Sequence, residues 1–179
     1  MSPEARTYGD ALYELSRDEG LSEQILSDLQ GTLAVFKETP EYRKLLSEPS
    51  LPRDERCALI SEAFRGQVHL YTLNFLRILT ERSLIGAFQD CVLRFRERYN
   101  EDNGIAEASV VSAVPLTENQ KARLLSKLTE ITGKRISLRE ETDPALLGGI
   151  RLTMENREFD GTVRGRIDAL SRALRETTV

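Results

Sequence analysis

The chain has 179 residues, of which 40% are hydrophobic and 30% charged, with 11 glycines and 6 prolines. That length can bury one large apolar core or two small ones, and the composition is that of a folded, helix-rich chain rather than a disordered one. A formal net charge of −4 gives no global positive field for phosphate backbones or anionic lipid, so nucleic acid is not an expected partner.

The opening residues Met1-Ser2-Pro3-Glu4-Ala5-Arg6 lack the basic head and apolar run of a secretory signal, so the mature chain is expected to start here and stay inside the cell. Nowhere do about 18 apolar residues run together, and the richest stretch is interrupted by Asn74, Arg77 and Glu81. Membrane association is therefore expected only through a partner. Cys57 and Cys91 sit in helical patterns with no second Cys or His nearby, which predicts buried free thiols rather than a disulfide or a metal site.

Up to about residue 103 the periodicity is helical. Pro3 suits a first turn, and Ala5, Tyr8, Ala11, Leu12 and Leu15 recur at three- and four-residue spacing, as one stripe, before Gly20. Ile25, Leu26, Leu29, Leu33 and Phe36 repeat the pattern, and Thr39-Pro40 reads as an N-cap with proline at the first helical position. A loop at residues 48–52 is followed by a fourth helix carrying Leu59, Ile60, Ala63 and Phe64. A fifth helix at about 68–82 is apolar in nearly every direction, which suits a central position or cover by another chain. A sixth, with Phe88, Cys91, Val92, Phe95 and Tyr99, stops at Asn103-Gly104.

Beyond Gly104 the grammar changes. Ile105 to Val114 reads as a strand, Thr117-Glu118-Asn119-Gln120 as a capping box opening a helix to Gly133, and Ile136 with Leu138 as a second strand. Ile150, Leu152 and Met154 alternate in a third, Glu158-Phe159 form a short fourth, and Val163, Ile167, Leu170 and Leu174 mark a closing helix. The fold expected is α+β, a six-helix N-terminal bundle over 1–104 and a small α/β domain over 105–179. Their charges differ, at −5 before Gly104 and +1 from there on.

Catalytic chemistry is scarce. The single histidine, His69, has no nucleophile motif around it and suits a capping or surface role, and no metal-ligand spacing occurs. Gly148-Gly149 leads into a strand rather than into the helix of a phosphate-binding loop, and Glu140-Glu141 suits a solvated strand edge. Arg94, Arg96 and Arg98 interleave with Phe95 and Tyr99, but Glu97, Glu101 and Asp102 offset their charge, so a solvated face is expected. Arg164 and Arg166 fall at the start of the closing helix, where the macrodipole disfavours each cation by ~0.3–1 kcal/mol. Asp160 and Asp168 are the nearby carboxylates, and the Arg164–Asp168 spacing leaves Arg166 without an account.

Two stretches carry a resemblance. Tyr8-Gly9-Asp10-Ala11-Leu12-Tyr13-Glu14-Leu15 resembles the opening helix of ATP synthase delta subunits, the family that includes the mitochondrial oligomycin-sensitivity-conferring subunit. Asp143-Pro144-Ala145-Leu146-Leu147-Gly148-Gly149-Ile150, followed by Asp160-Gly161-Thr162-Val163-Arg164-Gly165-Arg166-Ile167, is similar to that family's C-terminal signature. Gly9 departs from the alanine usual there, at a cost of about 1 kcal/mol in helix propensity, and would let a partner helix approach closely.

The resemblance implies a non-catalytic stator subunit without cofactor or metal, at the cytoplasmic face of a bacterial inner membrane and touching the membrane only through the complex. Its helical part would grip the N-terminal helix of an alpha subunit of the catalytic head, and its C-terminal part would meet the C-terminus of the b-subunit stalk. On that reading Tyr8, Ala11, Leu12 and Leu15 with Phe75 and Leu79 are the expected head-binding residues, and Arg164 and Arg166 the expected stalk-binding ones. The alternatives are a helical adaptor unrelated to the synthase, and an enzyme that holds an anion on the two arginines.

Overall fold

The computed structural model describes residues 2–146, 148–154 and 157–161, so the expected closing helix with Arg164 and Arg166 lies outside the described residues. The chain is α+β and divides into two compact units, Met1–Tyr99 and Asn100–Val179.

In the first unit α1 (Pro3–Asp18) starts where Ser2 Oγ accepts from Ala5 N at 3.1 Å, with Pro3 in the first turn. It is followed by α2 (Ser22–Glu38), α3 (Pro40–Leu46), α4 (Arg53–Phe64), α5 (Leu70–Glu81), a 3₁₀ turn (Ile85–Ala87) and α6 (Phe88–Asp102). They enclose one apolar core in which Phe36 meets Phe64 and Phe88 edge-on and Tyr13 meets Phe95 in the same way. Such edge-to-face pairs contribute about 0.5–1.5 kcal/mol beyond the area they bury.

Polar contacts fix how the helices meet. Asp28 of α2 accepts from His69 N at 2.7 Å and from Thr72 Oγ1 at 3.1 Å, while His69 Nδ1 accepts from Tyr71 N, so the lone histidine caps α5. Arg56 of α4 is buried and donates to Leu46 O, at the carbonyl end of α3, and to Ser83 Oγ just past α5. A cation there faces the partial negative charge of a helix C-terminus. Thr39 is the N-cap residue of α3, with Pro40 in the first turn, but its hydroxyl makes no cap hydrogen bond there; it turns back to donate to Val35 O at 2.6 Å and closes α2.

The buried face of α1 differs from the expected stripe. It consists of Ala5, Gly9, Leu12, Tyr13 and Ser16, with Ala11 and Leu15 exposed. Gly9 is the cause. A Cβ there would lie 2.8 Å from Arg94 Cβ and 2.9 Å from Cys91 O, so α6 approaches the α1 backbone directly. The helix for which Gly9 makes room is thus one of this chain's own. Ser16 tolerates burial because its hydroxyl donates to Tyr13 O at 2.8 Å.

The second unit holds β1 (Ile105–Ser112), α7 (Glu118–Thr132), β2 (Arg135–Thr142), β3 (Ile150–Met154) and β4 (Arg157–Asp160) in a sheet ordered β2-β1-β3-β4. The capping box is present, with Thr117 Oγ1 accepting from Gln120 N and the Gln120 side chain accepting from Thr117 N. α7 is the crossover that makes β1 and β2 parallel; β3 pairs antiparallel with both β1 and β4. Ala108, Val110 and Leu152 share one face and pack with Leu128 of α7. The opposite face carries Arg139–Glu141 and Arg151–Glu158 ion pairs. Glu140 lies on the edge strand β2, as expected, and is tied to Lys121 of α7 at 3.1 Å.

Close approach at Gly9 is testable by substitution. Gly9→Ala gains helix propensity yet must push α6 away, and overpacking of this kind costs about 1–3 kcal/mol. A lower urea midpoint with an unchanged slope is expected for Gly9→Ala, and a larger loss for Gly9→Val; a raised midpoint for Gly9→Ala would show that the helices are not in contact there.

Candidate functional site

At 100° per residue the surface of α1 divides into flanks on either side of its buried face. One flank belongs to α6. Asp10 accepts from Arg94 Nε at 2.7 Å and lies 3.6 Å from Arg98 Nη1, while the Arg98 guanidinium sits 5.4 Å from the centre of the Tyr13 ring. Arg94 also reaches Glu97 at 3.2 Å, and its hydrogen bond to Asp10 is the main cause that holds the guanidinium pKa above its ordinary value. The arginine row of α6 therefore does more than meet solvent. Arg94 and Arg98 fasten α6 to α1, in a partly buried network of the kind that contributes more than an exposed pair.

The other flank of α1 carries Tyr8, Ala11 and Leu15, with Leu12 on its inner border. Leu15 is 44% exposed, Ala11 is exposed and Tyr8 is half-buried. α1 packs against α5. On α5 one side meets α4, where Cys57 Sγ lies 4.0 Å from Arg77 O, and the inner side meets α2 through Thr72. The remaining flank carries Tyr71, Phe75 and Ile78, of which Ile78 is 43% exposed and Tyr71 half-buried.

The expected head-binding residues thus separate into two sets. Leu12, Phe75 and Leu79 are core residues, at 5%, 6% and 0% exposure. Tyr8, Ala11 and Leu15 are accessible; on α5 the accessible apolar residues include Leu70, Tyr71 and Ile78, none of them among the expected head-binding residues. Residues one apart lie 100° around a helix, so Leu79 falls on the side of Thr72, whose hydroxyl donates to Asp28, and Ile78 on the side of Tyr71. Arg164 and Arg166 lie outside the described residues.

Among the described residues, the first unit also has concavities away from these flanks. A wide cleft between α4 and α5 is lined by charges of both signs, among them Asp54, Glu62, Arg65 and Arg77. A smaller pit lies where α2, α3 and the start of α6 converge. Both cysteines are buried free thiols; burial is the main cause that pushes Cys91 up to about 11 and raises Cys57. Neither is activated as a nucleophile. Among the described residues, no helix is long and apolar enough to cross a membrane.

Over residues 5–174 the chain matches the family model described as ATP synthase delta (OSCP) subunit. It is 33% identical to the ATP synthase subunit delta of Halalkalibacterium halodurans over 95% of this chain and 93% of that one. It is 34% identical to the ATP synthase subunit delta of Gloeobacter violaceus, over 93% and 91% respectively. A chain in the cryo-EM structure of the Toxoplasma gondii mitochondrial ATP synthase hexamer shares its fold, with a TM-score of 0.76 at 17% identity over 97% of this chain and 98% of that one.

The chain belongs to the ATP synthase delta (OSCP) subunit family. It is a structural, non-catalytic subunit rather than an enzyme, and the unrelated-adaptor alternative falls with that assignment.

Proposed function

We propose that this subunit is the stator link of the rotary synthase. Its N-terminal six-helix bundle, over residues 1–104, grips the amphipathic N-terminal helix of an alpha subunit of the head. Its α/β domain, over 105–179, receives the C-terminus of the b-subunit stalk, and the subunit resides at the cytoplasmic face of a bacterial inner membrane without entering the bilayer.

The observation that supports the head contact best is the pair of accessible flanks on α1 and α5. Leu15 and Ile78 are large, apolar and more than two-fifths exposed on helices that pack together. Tyr8, Ala11 and Tyr71 extend the same flanks. An amphipathic helix laid between them would bury these residues against walls preformed by Leu12, Phe75 and Leu79, the usual arrangement of a helix in a groove. Burying a large apolar side chain in full contributes about 1.5–3 kcal/mol, so Tyr8, Leu15, Tyr71 and Ile78 supply only part of the about −12 kcal/mol of a 1 nM contact, and a preformed groove keeps the ordering cost low. Leu12, Phe75 and Leu79, being buried, support the groove from behind.

Leu15→Glu and Ile78→Glu should each weaken binding to the isolated catalytic head by about 1–3 kcal/mol, with unfolding midpoints near wild type because both sites are exposed. Leu12→Glu should instead lose the cooperative fold, because it buries a charge. Wild-type head affinity in both exposed variants would move the contact elsewhere on the molecule.

Arg164 and Arg166 make the stalk contact, since two cations where the sequence starts a helix need an offset from outside it. Arg166→Glu should reduce affinity for a soluble b-subunit dimer by about 1–3 kcal/mol at low salt and by less at high salt. Equal affinities with a lowered unfolding midpoint would assign the arginine to the fold.

A further inference from the structure

The pit between α2, α3 and the start of α6 has a volume of about 170 Å³. Its walls are Leu33, Phe36, Ile85 and Phe88, and Lys37 and Arg43 stand at its rim. Phe36 and Phe88 pack edge-on at 5.4 Å, and Phe36 also meets Tyr42 and Phe64, so the floor is part of the rigid aromatic core. Lys37 and Arg43 are both exposed, and neither has an ion-pair partner among the described residues.

Each cation has a local reason to be on its own helix, because each lies in a last turn, where the macrodipole favours it. That does not account for their meeting over one apolar pit without a carboxylate between them. The lining of the pit carries these two cations and no carboxylate. The volume is close to the ~150 Å³ of a dry apolar cavity that takes up benzene, enough for one ring or one branched side chain. Further affinity has to come from the rim, and the rim is cationic.

We propose that this pit docks an acidic polypeptide segment, which inserts one aromatic or branched apolar side chain against Phe36 and Phe88 and sets carboxylates beside Lys37 and Arg43. The preformed floor removes most of the ordering cost on this side of the contact, and the charged rim supplies approach and orientation. The pit is built from α2, α3 and α6, not from the α1 and α5 flanks, so it stands independently of the head contact proposed above.

The test uses the full chain and a labelled peptide, Glu-Glu-Phe-Glu-Glu, followed by fluorescence anisotropy and by amide shifts in NMR. Saturable binding is expected, with shifts concentrated at Leu33, Ile85 and Gln89. Replacing the peptide's phenylalanine by serine, or making Lys37→Glu with Arg43→Glu in the protein, should weaken binding at least about tenfold, and raised salt should weaken it further. Both substitutions are at exposed positions, and an unchanged unfolding midpoint verifies the fold. The proposal is overturned by no saturation up to ~1 mM, by equal binding of the serine peptide, by indifference to the charge reversals, or by shifts confined to the α1 and α5 flanks. Equal binding of free phenylacetate would overturn the polypeptide as occupant.

Discussion

The approach of α6 to the backbone of α1 at Gly9 is the constraint on which the first unit depends. It exists because no side chain stands between the helices, and Asp10 locks it from the flank through Arg94 and Arg98. Once α6 occupies that side, the rotation of α1 about its own axis is settled. Tyr13 turns inward to Phe95, Leu12 enters the core and Tyr8, Ala11 and Leu15 are left on the free side. Asp28 fixes the other helix in a similar way, holding the start of α5 against α2 so that Tyr71 and Ile78 remain accessible. Local packing choices thereby decide which residues are available to a partner.

Much of the architecture is legible in residue order. The change of periodicity at Gly104, the Thr117–Gln120 capping box and the alternation of Ile150, Leu152 and Met154 each have a local physical cause, and each marks an element that is present. The buried face of α1 is not legible by hydropathy, since it includes Gly9 and Ser16 and leaves out Leu15. A glycine is buried for what it lacks, and a serine because its hydroxyl finds a backbone carbonyl. The arginine row of α6 misleads for a related reason, because counting neighbouring acids within α6 cannot reveal that the decisive carboxylate, Asp10, lies 84 residues away. The candidate residues inherit the same difficulty: hydropathy alone groups Leu12, Phe75 and Leu79, which are buried, with Tyr8, Ala11 and Leu15, which are accessible.

A stator subunit has to transmit load without chemistry, and the physical properties described suit that task. The core of the first unit is dense with edge-to-face aromatic pairs and holds Arg56 between the ends of two helices. Interiors packed in this way have low compressibility and pass strain on rather than absorb it. In the second unit the parallel β1–β2 pair is strapped to α7 through Lys121 and Glu140, and β4 is short, which limits edge-to-edge pairing. Residence must also outlast the catalytic cycle. A dissociation constant near 1 nM with an on-rate of ~10⁶ M⁻¹s⁻¹ gives an off-rate of ~10⁻³ s⁻¹, against ~10 turnovers per second.

The central claim is that one subunit holds the catalytic head and the stalk at the same time. Sedimentation of isolated head with a soluble b-subunit dimer, with and without the full chain, measures this directly. A ternary species is expected only when the chain is present, at one copy per head. If head and b dimer competed for the chain, or co-sedimented equally well without it, the subunit would not be the link between them.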